Sequence, residues 1–203
     1  MIFALYAGMR ALHFNTASAS TETALGKLVA RVAEGEAQAL GEVYDLHHEA
    51  VRAFAARLLG DAAIAEDLVH EVFVTLPRAI RGFKGDSSLR SFLTGIAINH
   101  ARHYVRGAMR RRAAMARLGA QPLAEGPETP ERAAEQNRFL TVLNRALDEL
   151  PLEQRVAFVL CDVEERTSSE AAQITSAPEA TVRTRLHHAR KRLRSALERE
   201  GIR

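Results

Sequence analysis

A chain of 203 residues, 47% of them hydrophobic, can build one large domain or two small ones. Ala, Leu, Arg and Glu dominate and β-branched runs are scarce, which favours helices over sheet. The formal net charge of +3 conceals basic stretches at 102–117 and 183–199 and an acidic one at 61–71, while the single cysteine, Cys161, excludes an intrachain disulfide and a CxxC or CxxH metal site.

Met1 to Phe14 is apolar, but no basic segment precedes Ile2–Ala7, and Arg10 and His13 break the apolar run beyond it. Residues 1–24 are therefore expected to be a disordered extension rather than an export signal. No run approaches the ~20 apolar residues of a membrane helix, so no membrane insertion is expected. Leu25, Leu28, Val29 and Val32 share one helical face, which Gly35 ends. A longer helix carries Leu40, Val43, Tyr44, Val51, Phe54 and Leu58 and closes at Gly60. Asp61 can cap the next helix, whose buried stripe is Leu68, Val69, Val72, Phe73 and Leu76 and which Pro77 should kink or stop. After the loop Gly82–Ser87, the residues Leu89, Phe92, Leu93, Ile96 and Ala97 open a helix running to about Arg106. Four helices with short connections make a bundle.

Gly119–Pro130 holds three of the six prolines and lacks helical periodicity, as an interdomain linker would. Beyond it, Phe139, Val142, Leu143, Ala146 and Leu150 form a helix stopped by Pro151, and a second helix carries Val156, Val159 and Leu160. Cys161 falls at a core position there. Thr167 with Glu170 has capping-box spacing, and so does Ser176 with Glu179, with Pro178 in the first turn. Two short helices starting near Thr167 and Ser176 have the form of a helix-turn-helix. The last helix runs from Pro178 to about Arg199 and should bury Val182, Leu186, Ala189, Leu193 and Leu197. Its other faces carry Arg183, Thr184, His187, Arg190, Lys191 and Arg194. In such a motif Arg183 can bond guanine bidentately while Thr184 and His187 read neighbouring edges. Arg185, His188, Arg190 and Lys191 would hold phosphates. A solvated basic helix, or one that binds an acidic protein, is the alternative.

The run Leu150-Pro151-Leu152-Glu153-Gln154-Arg155-Val156-Ala157-Phe158, then Ser169-Glu170-Ala171-Ala172, then Thr181 to Arg194, resembles region four of extracytoplasmic-function (group IV) sigma factors. Gly60-Asp61 followed by Ala65-Glu66-Asp67-Leu68-Val69-His70-Glu71-Val72-Phe73 resembles their region two helix that docks on the polymerase clamp. Phe83-Lys84-Gly85-Asp86-Ser87, then Phe92-Leu93 and Ile96-Ala97-Ile98-Asn99, is similar to the part that opens the minus-ten element. The resemblance covers roughly residues 25–106 and 137–199. It implies an all-α cytoplasmic protein of two small helical domains: region two at 25–118, a linker at 119–130 and region four at 131–203. It further implies core RNA polymerase, promoter DNA and a dedicated anti-sigma factor as partners, and no cofactor.

By the same resemblance Glu66, Asp67, Leu68, Glu71 and Phe73 meet polymerase. Phe83, Lys84, Asp86, Ser87 and Asn99 serve the minus-ten element, and the basic last helix reads the minus-thirty-five element. Three departures stand out. The family has Gly where Glu165 stands and near Thr175 and Ala180, an aromatic at Pro77, and bulkier residues at Thr94-Gly95. Enzyme chemistry finds little support: His47-His48-Glu49 and His70-Glu71 lack the HExxH spacing, and no phosphate loop or nucleophile elbow occurs. A helix-turn-helix repressor would footprint DNA alone, whereas a sigma factor needs polymerase. A protein adaptor would show no salt-dependent DNA affinity.

Overall fold

A computed structural model describes residues 19–117, 142–143 and 145–201, and all the regular elements among them are helical. The first four helices are α1 (Ala19–Ala33), α2 (Ala37–Leu59), α3 (Ala62–Ala79) and α4 (Leu89–Arg117). Helix α1 begins inside the segment expected to be disordered, and residues 1–18 lie outside the described part, as does the expected linker Gly119–Pro130. Gly60 ends α2 at φ 72°, donating to the Ala56 carbonyl. Asp61 then caps α3, its carboxylate accepting from the amides of Ala63 at 2.8 Å and Ile64 at 3.1 Å. These two signals turn the chain in two residues and lay α3 along α2.

The bundle core is the stripe that helical spacing dictates. Val43, Val51, Phe54 and Leu58 of α2 meet Leu68, Val69, Val72, Phe73 and Leu76 of α3, and Leu93, Ala97, Ile98 and Ala101 of α4 close it. Each large side chain so buried contributes about 1.5–3 kcal/mol. Pro77 does not stop α3, which runs on to Ala79 and tightens into a 3₁₀ turn at Ile80–Gly82. A proline this close to the end costs one i→i−4 bond where the helix is already changing form. Helix α4 passes the expected end at Arg106 and reaches Arg117, through a run of Arg, Ala and Met that are strong helix formers.

The second subdomain comprises the helical residues 145–148, α5 (Leu152–Phe158), α6 (Ser168–Thr175) and α7 (Glu179–Arg199). Helix α5 widens into a π turn at Val159–Val163, which no feature of the sequence announces. Val156 to Leu160 pack against the buried face of α7, which consists of Val182, Leu186, Ala189, Leu193, Ala196 and Leu197. The π turn rests on α2, and α6 rests on α4. The buried apolar residues of the two subdomains join in one cluster.

Candidate nucleic-acid interface

The helix-turn-helix is fixed by local hydrogen bonds. Thr167 Oγ1 accepts from the Glu170 amide at 3.2 Å, while the Glu170 carboxylate accepts from the Thr167 amide at 2.8 Å, a complete capping box at the start of α6. The second expected capping box does not form. Ser176 is instead the last link of α6, left-handed at φ 52° and ψ 40°, with its amide bonded back to Ala172 and Gln173. Pro178 precedes α7 and offers its carbonyl to the amides of Thr181 and Val182. A proline disfavours helical geometry in the residue before it, which separates α6 from α7 by only Ser176–Pro178.

With its apolar stripe buried, α7 turns Arg183, Thr184, His187, His188, Arg190 and Lys191 outward, and Arg185 is half-buried. The side chain of Arg183 is 67% exposed and pairs with Glu179 one turn earlier. Thr184 donates to its own helix at the Ala180 carbonyl, and the rings of His187 and His188 meet edge to face. Two of the expected phosphate ligands are already engaged. Arg190 grips Asp162 through two bonds of 2.9 and 2.5 Å, and that carboxylate holds the guanidinium pKa above its ordinary value. Arg185 pairs with Glu153 at 2.9 Å. Among the described residues, no ion pair engages Lys191, Arg192 or Arg194.

In the amino-terminal bundle the candidate residues divide. Phe83 packs edge to face on Phe92 with ring centres 5.2 Å apart, whereas Lys84 and Asp86 stand in solvent. Ser87 and Asn99 are brought together in a cleft of about 340 Å³, walled on its far side by Gln173, Ile174, Thr175 and Ser176 of the helix-turn-helix. Asn99 Oδ1 accepts from Arg102 at 2.8 Å, which leaves its amide nitrogen as a donor toward a base edge. On α3, Glu66, Asp67 and Glu71 are exposed, and Glu66 lies 3.6 Å from Arg52. Leu68 and Phe73 are 4% and 5% exposed, core residues that brace this face from beneath. Asp67, Leu68 and Glu71 border a depression of about 260 Å³ with Ile64, His100, His103 and Tyr104.

Glu153, Asp162, Glu164 and Glu179 organise the arginines. The i,i+4 spacing of Glu179 and Arg183 is a local signal that could have found that pair; the pairing of Asp162 with Arg190 spans 28 residues and has none. Glu153 sits below the ordinary glutamate pKa chiefly because Arg102 donates to it at 2.7 and 3.1 Å, with partial burial opposing. Burial pushes the Cys161 thiol up, with Asp162 adding to it, so the sulfur stays protonated and behaves as packing.

Comparison with known proteins converges on one family. The models of sigma-70 region 2 and sigma-70 region 4 match residues 43–111 and 140–193. The chain is 29% identical to the RNA polymerase sigma-H factor of Pseudomonas aeruginosa, over 85% of this chain and 93% of that one. It is 33% identical to the ECF RNA polymerase sigma factor SigE of Mycolicibacterium smegmatis over 77% of this chain, spanning 60% of that relative. Among solved structures it resembles the sigma factor RpoE bound to the anti-sigma factor NepR from Bartonella quintana, with TM-score 0.57, 26% identity and coverage of 78% and 96%. It also resembles CnrH in complex with the cytosolic domain of CnrY, with TM-score 0.57, 25% identity and coverage of 84% and 95%.

Proposed function

This chain belongs to the extracytoplasmic-function sigma factors, and from that premise we propose how its parts divide the work of promoter recognition. As a sigma factor it directs RNA polymerase to stress- or signal-responsive promoters and is not itself an enzyme. The observation that carries the reading is positional: the two region models fall, in order, on the α2–α4 bundle and on the helix-turn-helix with its outward basic face.

The helix α7 lies in the major groove of the minus-thirty-five element. Arg183, Thr184 and His187, near its amino terminus, read base edges. His188 and Lys191 neutralise phosphates, and the counterions so released supply most of the sequence-independent affinity. Arg185 and Arg190 keep their internal carboxylates and orient the helix, adding positive potential rather than free donors. In the bundle, Asn99 and Ser87 take an unpaired base of the minus-ten element, offsetting an unstacking cost of a few kcal/mol; Phe83 shapes the loop, and Lys84 and Asp86 flank the strand. The acidic face of Glu66, Asp67 and Glu71 docks on polymerase, held rigid by Leu68 and Phe73. The working division is region two at 25–118, a linker at 119–130 and region four at 131–203, in the cytoplasm where polymerase acts. A dedicated anti-sigma factor fits the relative that is seen bound to one.

Transcription in vitro with core polymerase on a promoter library tests this directly. Within the promoters selected, Arg183→Ala loses about 1–3 kcal/mol of discrimination at one upstream base pair. Lys191→Ala instead weakens binding evenly across sequences and lowers its salt dependence. Equal behaviour of the two variants at every base would remove the assignment of α7. A chain that footprints duplex alone and gains nothing from polymerase would remove the sigma reading.

A further inference from the structure

We propose that Glu179 is a specificity-determining residue, which together with Arg183 reads one complete G·C base pair of the minus-thirty-five element. The inference rests on the placement of α7 in the major groove and adds to it a carboxylate in direct contact with cytosine.

Glu179 is the first residue of α7, and Arg183 stands one turn further on. Helical side chains lean toward the amino terminus, so the long Arg183 chain reaches back over the first turn and its Nη2 donates to Glu179 Oε1. Glu179, Arg183 and His187 follow one another at i, i+4 and i+8, so the carboxylate shares the edge of α7 that carries two of the base readers. Its setting differs from that of the other carboxylates that hold arginines of α7. Glu153 and Asp162 come from other elements, and the Asp162 side chain is 4% exposed. Glu179 belongs to α7 itself, and its side chain is 41% exposed. Glu179 and Glu198 are the acidic residues of α7 and lie at its two ends. A carboxylate at the entering end meets phosphates on both walls of the groove, which repel it. Its place there is favourable only where the Arg183 charge balances it and a base edge donates to it.

The major-groove edge of a G·C pair presents, in order, guanine N7 and O6 as acceptors and the cytosine N4 amino group as a donor. The two joined side chains present the complement in the same order. One Nη1 hydrogen of Arg183 goes to N7 and one Nη2 hydrogen to O6, while the second Nη2 hydrogen stays on Glu179. The Glu179 carboxylate has lone pairs left, and it accepts the N4 hydrogen that base pairing does not use. The bond already present between the side chains sets donors and acceptor side by side, so less ordering of a long exposed arginine is left for binding. Turned round, the same base pair sets the guanidinium against N4 and the carboxylate against O6 and N7. An A·T pair sets Arg183 against N6 and Glu179 against the thymine O4. Glu179 therefore rejects wrong pairs as well as holding the right one.

The affinity of the full chain with core polymerase, on promoters whose minus-ten element is already mismatched, isolates the upstream contact. The base pair concerned is the one at which Arg183→Ala loses its preference. There, Glu179→Ala should lower the preference for G·C over the inverted pair by about tenfold. Replacing the cytosine with pyrimidin-2-one, which still pairs with guanine but has no N4 amino group, should weaken the unaltered chain by about as much. The analogue should cost the Glu179→Ala variant nothing further, because the same contact is already gone. If Glu179 only steadied the start of α7, its loss would change affinity for every base pair alike and the analogue would act equally on both proteins. Either result, in a variant that circular dichroism shows folded, would overturn the proposal, as would an analogue that leaves the unaltered chain unaffected. Preference lost in Arg183→Ala but kept in Glu179→Ala removes the role of Glu179 alone. Preference kept at every base pair in Arg183→Ala removes the placement of α7, and the role of Glu179 with it.

Discussion

At the scale of single residues, the backbone carries strain at the two bends that frame α6. Glu165 and Ser176 are the two non-glycine residues with positive φ among the described ones, at 55° and 52°. A side chain in left-handed geometry costs roughly 1–2 kcal/mol, because Cβ crowds the following carbonyl oxygen. The departures at Glu165 and near Thr175 thus fall on the two bends that frame α6, and the third, Ala180, is ordinary helix. Glu165→Gly should raise stability by about 0.5–1 kcal/mol, the relief of strain less the greater freedom of glycine in the unfolded chain. An upward shift of the thermal midpoint checks this, and a fall would mean that the Glu165 side chain makes a compensating contact. Ser176→Gly is expected to act in the same direction. The buried Arg155 illustrates the opposite case, a costly group kept in place by its partners. Burial lowers its pKa and Asp148 at 2.9 Å restores part of it, while the Leu58 carbonyl takes a second bond.

At the scale of elements, caps and stripes are legible in the sequence and transitions are not. Thr167 with Glu170 and Asp61 can be read as caps, because a side-chain oxygen two or three residues from orphan amides is a local arrangement. Ser176 with Glu179 has the same spacing, yet Ser176 closes α6 because its left-handed backbone carries the turn. The buried stripes of α3 and α7 follow from 3.6-residue periodicity, whereas the π turn at Val159–Val163 and the extension of α4 to Arg117 have no periodic signature. Removing the genuine cap tests its weight. Thr167→Ala should cost about 0.5–2 kcal/mol by orphaning the Glu170 amide. It should also change the response to acid. Bonds from the Thr167 amide and hydroxyl, helped by Arg166, hold the Glu170 carboxyl below its ordinary pKa. A depressed carboxyl contributes stability above its unfolded pKa and loses it as pH falls through the folded one. The variant should therefore show a shallower decline in melting temperature below about pH 5. Alanine keeps the amide of residue 167, the largest cause of the low Glu170 pKa, so an unchanged acid limb would mean that this amide holds the carboxyl down without the hydroxyl.

At the scale of the whole molecule, the sequence announces two reading surfaces but not that they are folded together. Arg57 and Glu164 are 107 residues apart, Arg102 and Glu153 51, and no local pattern links charges at such distances. A glycine at 95 likewise gives no hint in sequence of the Ile174 carbonyl that lies against it. These same long-range pairs make the packing of the two subdomains on each other sensitive to pH, and the sign comes from Glu153. In the packed chain its pKa is depressed first by the hydrogen bonds from Arg102 and then by the charges of Arg102, Arg185 and Arg106, against partial burial. Parting the subdomains removes at least the contact with Arg102, so the open form binds a proton more readily. That packing is therefore fully supported above the ordinary glutamate pKa and weakens as pH falls through the depressed value. His47 of α2 shares the descent: burial, and then Arg90, keep it neutral, so it resists charging as pH drops below its ordinary value. Arg90 also pairs with Glu164 at 3.0 Å, so a charge gained at His47 repels an arginine that joins the two subdomains. Small-angle scattering from about pH 7.5 down to about pH 3.5, a window that brackets the ordinary His and Glu values, should show the radius of gyration rising before helical circular dichroism is lost. Glu153→Gln and His47→Gln should each reduce that rise. A radius that stays flat until the helices melt would mean that the apolar contacts alone hold the subdomains together.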